Sequence, residues 1–399
     1  MAKVAITGAE LVDPEAIHAP RATLLIEAGR IAGCVAPDEP LGADWSVVSR
    51  EALRIAPGFI DLHFHGELVA TPPSGFAAAL ARAAGRMLSE GTTAFLATTV
   101  CWPRAVLADA VAALAEVVDG VAAAGAACLG LHLEGPWISA EAPGAMAPEA
   151  IRPFDARSDR EVLARAGERL RMVTLAPEVE GAGALLALLS ARGVVAALGH
   201  TRASPECIAE GVARGLRHVT HLWNAMGPMH HRDPGVAGTA LAEERLSCDL
   251  ICDGHHVDPA MVRIAARALG TRLVLITDRV ELPEGAADAS ALGPGVPGGE
   301  GAPYRRADGT IIGSQLGLDT ALRNARSFAG LGLADAVAAC TLRPARLLGV
   351  ERDRGTLRTG ARADLALLDA EGRVVETWVS GKLAWRAEIF RSDRNRRRR

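Results

Sequence analysis

Two rhythms of apolar and polar positions alternate along this chain. From about residue 57 to 345, short apolar runs rich in β-branched and small side chains are followed by longer stretches whose apolar residues return every three or four positions. Eight runs read as buried strands: FIDLHFH (59–65), TAFLATT (93–99), CLGLHLE (128–134), MVTLAPE (172–178), VVAALGH (194–200), HVTHLW (218–223), LSCDLIC (246–252) and RLVLITD (272–278). Alanine-rich amphipathic segments lie between them, among them GFAAALARAAGRMLSEG (75–91), PRAVLADAVAALAEVVDGVAAAG (103–125) and SPECIAEGVARG (204–215). In the last, Ser204 and Pro205 form a helix start and Gly215 a stop. This alternation predicts a (β/α)8 TIM-type barrel over 57–354. A doubly wound open sheet is the structural alternative, but it does not gather residues from so many strand ends.

The two ends of the chain change rhythm. Residues 1–56 carry short β-like pieces (VAITGAELV, ATLLIEAGRIAGCV), and residues 355–390 carry more (ADLALLDAEG, VVETWVSGKLAW), with turns expected at Glu27-Ala28-Gly29 and Glu371-Gly372. Neither end is long enough for a good core, so the two are expected to pair into one small β-sandwich domain beside the barrel. Segment 283–313, rich in Gly and Pro, reads either as a flap over the site or as a long surface loop. Residues 391–399 read as a solvated basic tail.

Five of these runs, FIDLHFH, CLGLHLE, VVAALGH, HVTHLW and RLVLITD, carry on or within two residues of their last position a residue that can hold a divalent metal or move a proton. Ending a buried strand in His, Glu or Asp desolvates a polar group, and five such endings point to one shared site at the C-terminal strand ends. His63 and His65 are two apart on the first barrel strand and His132 and Glu134 two apart on the third, so each pair faces the barrel interior. His200, His221 and Asp278 close the fifth, sixth and eighth runs. Imidazole and carboxylate ligands without thiolate suit a catalytic Zn²⁺-like ion that keeps a position open for water. Asp278 stands where a carboxylate can take the proton of that water and hand it to a leaving nitrogen. The bland alternatives are a helix N-cap for Asp278, a core or supporting role for His132, and a structural role for His218.

Composition narrows the partners. A net charge of −4 and 23% charged residues give no footprint for nucleic acid, and no 18-residue apolar span or signal-peptide pattern appears, so the cytoplasm is the expected location. Seven scattered cysteines without a C-x-x-C pair suggest buried thiols in a reducing compartment. Lysine occurs only at Lys3 and Lys382, which excludes chemistry that needs a central lysine.

The stretches PGFIDLHFHG (57–66), LGLHLEGPW (129–137), TLAPE (174–178), GHT (199–201), THLWNAM (220–226), DGHHVDP (253–259), ITD (276–278) and TLRPARLLGV (341–350) carry a closer identification. Through them the chain resembles the amidohydrolase superfamily and, within it, the N-acetylglucosamine-6-phosphate deacetylases. The resemblance implies a metal-dependent deacetylase with one or two divalent ions, Zn²⁺ being the expected one, held by Glu134, His200 and His221 and, for a second ion bridged by Glu134, by His63 and His65. It implies Asp278 as catalytic acid/base, and Asn224, Ala225, Arg232, His256 and Gly313 as substrate contacts. It further implies a homodimer in which Arg232 reaches across the interface. Relatives that bridge two metals with a carboxylated lysine have no counterpart here, and Glu134 is the substitute.

Three departures from the family pattern bear on sugar recognition. Glu67-Leu68-Val69-Ala70 follows the first-strand motif in place of a glycine-rich run. Pro143-Gly144-Ala145-Met146 stands where a Lys-Gly-x-His stretch is common, and Arg279-Val280-Glu281 follows Asp278 in place of small residues. The expected substrate is an N-acetyl amino sugar, most simply N-acetylglucosamine 6-phosphate. The alternatives are an unphosphorylated or differently configured N-acyl amino sugar, an N-acyl amino acid, a purine-like ring undergoing deamination, and a non-catalytic sugar-phosphate-binding paralogue.

Overall fold

The computed structural model of the chain describes residues 3–123, 125–282, 292, 296–299 and 301–388. Six short strands open it: β1 (Lys3–Thr7), β2 (Glu10–Leu11), β3 (Thr23–Glu27), β4 (Arg30–Val35), β5 (Ser46–Ser49) and β6 (Arg54–Pro57). All eight apolar runs then form strands, β7 (Phe59–Gly66), β8 (Thr92–Thr99), β9 (Ala127–Glu134), β10 (Leu170–Leu175), β11 (Val195–Leu198), β12 (Leu216–Val219), β13 (Ser247–Ile251) and β14 (Leu273–Ile276). Helices follow them in turn: α1 (Phe76–Met87), α2 (Arg104–Val117), α3 (Arg160–Ala166), α4 (Ala182–Ala191), α5 (Pro205–Ala213), α6 (Gly235–Ala242), α7 (Pro259–Leu269) and α8 (Leu318–Ala329).

The strands pair in parallel from β7 to β14 in sequence order, and β15 (Arg279–Val280), two residues beyond β14, pairs with β7. β14 and β15 are two pieces of one strand position, so the ring closes as a (β/α)8 barrel. The amphipathic reading of the helices holds: α1 buries Phe76, Ala79, Leu80, Ala83, Ala84 and Met87, the spacing of one helical face. Ser204 caps α5 by accepting the Cys207 N–H at 3.3 Å, with Pro205 in the first turn. The long helix expected over 103–125 ends at Val117 and continues as a 3₁₀ segment through Ala123.

The chain ends meet through β6, which pairs antiparallel with β19 (Leu365–Leu368), followed by β20 (Val374–Val379) and β21 (Lys382–Arg386). Strand periodicity explains how this sheet serves two cores. Leu365 and Leu367 of β19 join Ile6, Leu24, Ile26, Ile55 and Trp378 in a small core against the sheet of β4, β3, β1 and β5, whereas Ala366 and Leu368 face the barrel core. The expected turn at Glu27-Ala28-Gly29 joins β3 to β4, with positive φ at Ala28 and Gly29. Within 283–313, the described residues form a small antiparallel sheet of β16 (Val296–Pro297), β17 (Tyr304–Arg305) and β18 (Ile311–Gly313). Residues 283–291, 293–295 and 300 of that segment, and the basic tail at 391–399, lie outside the described residues. No described helix is long and apolar enough to cross a membrane.

Candidate metal centre and active site

Six side chains from the five strand ends, His63, His65, Glu134, His200, His221 and Asp278, meet at the C-terminal mouth of the barrel. Glu134, at the end of β9, lies at the centre, and its two carboxylate oxygens serve different partners. Oε1 faces His200 Nε2 at 3.1 Å and His221 Nε2 at 3.0 Å, while Oε2 faces His65 Nε2 at 3.2 Å and His63 Nε2 at 3.4 Å. Asp278 joins the second side, its Oδ1 3.3 Å from both His63 Nε2 and His65 Nε2. All of these side chains except Asp278's are almost wholly buried. His200, His221 and Asp278 lie two residues past the last residue of their strands and have positive φ of 49°, 34° and 49°. Left-handed backbone is uncommon for such side chains, and its recurrence at three converging residues marks this mouth as functional.

The electrostatics fit a cation. Burial works against the charge on Glu134, yet His63, His200 and His221 hold its carboxyl well below the usual range. Burial likewise opposes charge on Asp278, and His63 and His65 overcome it and lower its pKa. Burial disfavours charge on the imidazoles too, but hydrogen bonds to Asp278 and Glu134 push His65 up to about 10, and those to Glu134 push His221 up to about 9. The carboxylates thus demand positive charge at the Nε2 atoms, as protons or as a divalent ion. Two nitrogen pairs face each other at 3.1 Å, His63 with His65 and His200 with His221, which puts lone pair against lone pair unless a proton or an ion lies between. His65 Nδ1 and His200 Nδ1 sit 3.2 Å and 3.0 Å from the carbonyls of Thr98 and Ala142, bonds that leave the Nε2 lone pairs free for a metal. Two donor sets result, His63/His65/Glu134 and Glu134/His200/His221, with ligand atoms of each set within 4.8 Å of one another. The residues fit one or two ions of the kind that prefers N and O ligands.

Supporting residues surround this cluster. Asp61, buried in β7, accepts the His63 N–H at 3.2 Å and the Thr277 N–H and hydroxyl, and burial pushes its carboxyl up to about 6. Asp249 of β13 accepts the His221 N–H. His132, kept neutral by burial and by the neighbouring His63, is fully buried and bonds Thr174 Oγ1 at 2.8 Å. Glu178 accepts the Thr201 hydroxyl at 2.6 Å and the Arg202 N–H at 2.7 Å, fixing the turn after His200. Asp61 and Asp249 carried the same signal that singled out Glu134, a carboxylate inside an apolar strand run, but they sit within their strands rather than at the ends. Asp278 is followed by β15 and not by a helix, which removes the N-cap reading.

A cavity of about 250 Å³ opens over the cluster, lined by His65, Glu134, His200, His221 and Asp278 together with Asn224, Ala225, His256 and Gly313. His256 is fixed by Asp253, whose carboxylate lies 2.6 Å from its Nδ1. Gly313 has φ 137°, and a Cβ there would lie 2.4 Å from Val280 Cγ2, so only glycine lets β18 approach the strand that carries Asp278. Ser314 N donates to Asp278 O at 2.9 Å and completes that contact. The rest of the lining is apolar or without a side chain: Gly144, Ala145, Met146, Leu292, Ile311 and Ile312. Arg232 is exposed, bonds His231 at 2.9 Å, and lies outside this cavity. Of the three departures from the family pattern, only the 143–146 stretch reaches the cavity, through Gly144, Ala145 and Met146. Arg279 turns away into ion pairs with Glu90 and Glu281, and Glu67 pairs with Arg82.

Residues 54–384 match the model of the amidohydrolase family. The chain belongs to this family. It is a metal-dependent hydrolase of amide-type C–N bonds, and its relatives narrow the branch. It is 38% identical over 351 residues to the N-acetylglucosamine-6-phosphate deacetylase of Homo sapiens, covering 84% of this chain and 85% of that one. It is 34% identical to the N-acetylgalactosamine-6-phosphate deacetylase of Escherichia coli O157:H7, covering 88% and 93%. Its fold is similar to a variant N-acetyl-D-glucosamine-6-phosphate deacetylase of Mycobacterium smegmatis solved with N-acetyl-D-glucosamine-6-phosphate, with a TM-score of 0.85, 32% identity and coverage of 96% of this chain and 100% of that one.

Proposed function

We propose that this amidohydrolase removes the acetyl group of N-acetylglucosamine 6-phosphate, releasing acetate and glucosamine 6-phosphate. The observation that carries the reading is Glu134, whose two oxygens each face a histidine pair while Asp278 joins one pair, all at the lining of one cavity. In this reading Glu134, His200 and His221 hold the principal ion, His63 and His65 with Glu134 hold a second, and the ion is Zn²⁺. Such an ion, when bound, polarises the amide carbonyl and brings the pKa of bound water to about 7. Asp278 takes the proton of the attacking water and delivers it to the departing nitrogen, a two-way transfer suited to a carboxylate within reach of both. Asn224, the Ala225 backbone, His256 and Gly313 line the cavity and orient the sugar and its phosphate. Arg232 lies outside the cavity of its own chain, so its substrate contact belongs to a homodimer in which it serves the partner's site. Absence of a membrane-crossing helix among the described residues is compatible with the cytoplasmic location expected from the sequence.

A second reading is favoured by the relative named for the galacto epimer and by the apolar Met146 wall, which has no strong hydrogen-bonding group to read a hydroxyl configuration. Acetate release from N-acetylglucosamine 6-phosphate, its galacto epimer and the unphosphorylated sugar, by zinc-loaded protein with Asp278→Asn as control, separates the two. Turnover of the gluco phosphate above the others, abolished in the control, is the expected result. Preference for the epimer supports the second reading, and no acetate from any of them overturns both.

A further inference from the structure

His221, like His63, is held differently from His65 and His200. His65 and His200 are each steered by a hydrogen bond from Nδ1 to a backbone carbonyl, whereas the buried Nδ1 of His221 has no partner among the described residues. A metal-binding imidazole that lacks this outer bond needs its orientation from elsewhere. The backbone supplies it. The parallel ladder between β12 and β13 ends at Val219 with Cys248, and the chain then leaves the sheet: Thr220 N donates to Leu198 O at 2.8 Å, and Leu222 N to Asp249 O at 3.0 Å. Between these two anchors His221 adopts φ 34°, and its N–H is taken by Asp249 Oδ1. The other oxygen, Oδ2, lies 3.0 Å from His218 Nε2, and His218 Nδ1 lies 2.7 Å from Ser247 Oγ. His218 and Asp249 are fully buried.

We propose that Asp249, braced by His218 and Ser247, is the positioning residue for His221: it holds the left-handed turn that aims the imidazole at Glu134 and so tunes the Glu134/His200/His221 side of the centre. The arrangement resembles a Ser-His-Asp triad in composition only. Its carboxylate is committed to a backbone N–H, and its serine lies at the N-terminal end of β13, away from the cavity. The inference rests on reading His221 as a ligand, and its test does not depend on the substrate.

Metal dissociation constants measured by chelator competition, together with the visible spectrum of the Co²⁺-substituted protein, read the geometry of the centre without turnover. Asp249→Ala is expected to weaken one metal equivalent by about 10- to 100-fold, the loss usual for an outer partner of a metal ligand, and to shift the Co²⁺ bands. Asp249→Asn keeps an oxygen acceptor for the His221 N–H and can donate to His218, so it should stay within about threefold of the parent. His218→Ala, which only unbraces Asp249, should fall between the two, and it decides the matter if Asp249→Ala does not fold. Folded Asp249→Ala or His218→Ala with parental metal affinity and Co²⁺ spectrum overturns the proposal, as does Asp249→Asn as impaired as Asp249→Ala.

Discussion

Carboxylates are buried both in the small β-domain and at the barrel mouth, and the two regions neutralise them with different partners. In the β-domain, Glu376 on β20 is bound by Arg50 at 2.8 Å, by Arg386 at 2.7 Å and by the Trp378 indole N–H at 3.0 Å, and Asp364 beside β19 is bound by Arg354 and by the Ser380 N–H at 2.7 Å. At the mouth, Glu134 and Asp278 have no arginine ion-pair partner among the described residues and are surrounded by imidazoles. A guanidinium is a permanent cation with no lone pair, so a carboxylate paired to it is saturated and inert. An imidazole can supply a proton or a lone pair, so the same carboxylate among histidines remains able to share a metal or move a proton. The difference separates a structural ion pair from a reactive site in one chain.

The comparison can be broken from either side. Glu134→Gln should have the largest effect, since the residue serves both donor sets: metal content measured by elemental analysis should fall on both sides and amide hydrolysis should drop to background. Retention of both metals and activity would erase the distinction drawn here. Next, Asp278→Asn should lower kcat by about 10²- to 10⁴-fold, the scale of a lost general acid/base, while metal content at the Glu134/His200/His221 side stays at the parental level. A parallel loss of that metal would move Asp278 from proton transfer to coordination alone.

On the structural side, Glu376→Gln should leave activity per folded molecule unchanged. It should cost about 2 to 4 kcal/mol in denaturant unfolding, somewhat below a fully buried broken pair because its arginine partners retain 18% and 16% side-chain exposure. An activity loss without a stability loss would show that the β-domain pairs are not merely structural. The smallest effect belongs to the α5 cap: Ser204→Ala should lower stability by about 1 kcal/mol and leave metal binding and turnover untouched.

How much of this was legible in the chain differs by residue. The eight strands were, because a buried parallel strand must be apolar on both faces and its run is conspicuous between amphipathic helices. So were Glu134, His200, His221, His63, His65 and Asp278, because a polar residue ending such a run stands out against the cost of burying it. Asp61 and Asp249 escaped notice although they carry the same signature, since a carboxylate in mid-strand declares no partner until the neighbouring strand is in place. The turning away of Arg279 from the cavity was equally invisible, because Glu90 lies 189 residues from it in the chain.

The sequence by itself determined which residues are available to the chemistry and the barrel that collects them, for both follow from local periodicity and from the free energy of burying apolar surface. Only the tertiary structure decided that Glu134 divides its oxygens between two histidine pairs, that Asp278 sides with His63 and His65, that Met146 reaches the cavity while Arg279 does not, and that Arg232 stands outside it. These are distances of a few ångströms between residues tens to hundreds of positions apart. They are set by the closure of the β7–β15 ring and the packing around it, and no local pattern encodes them.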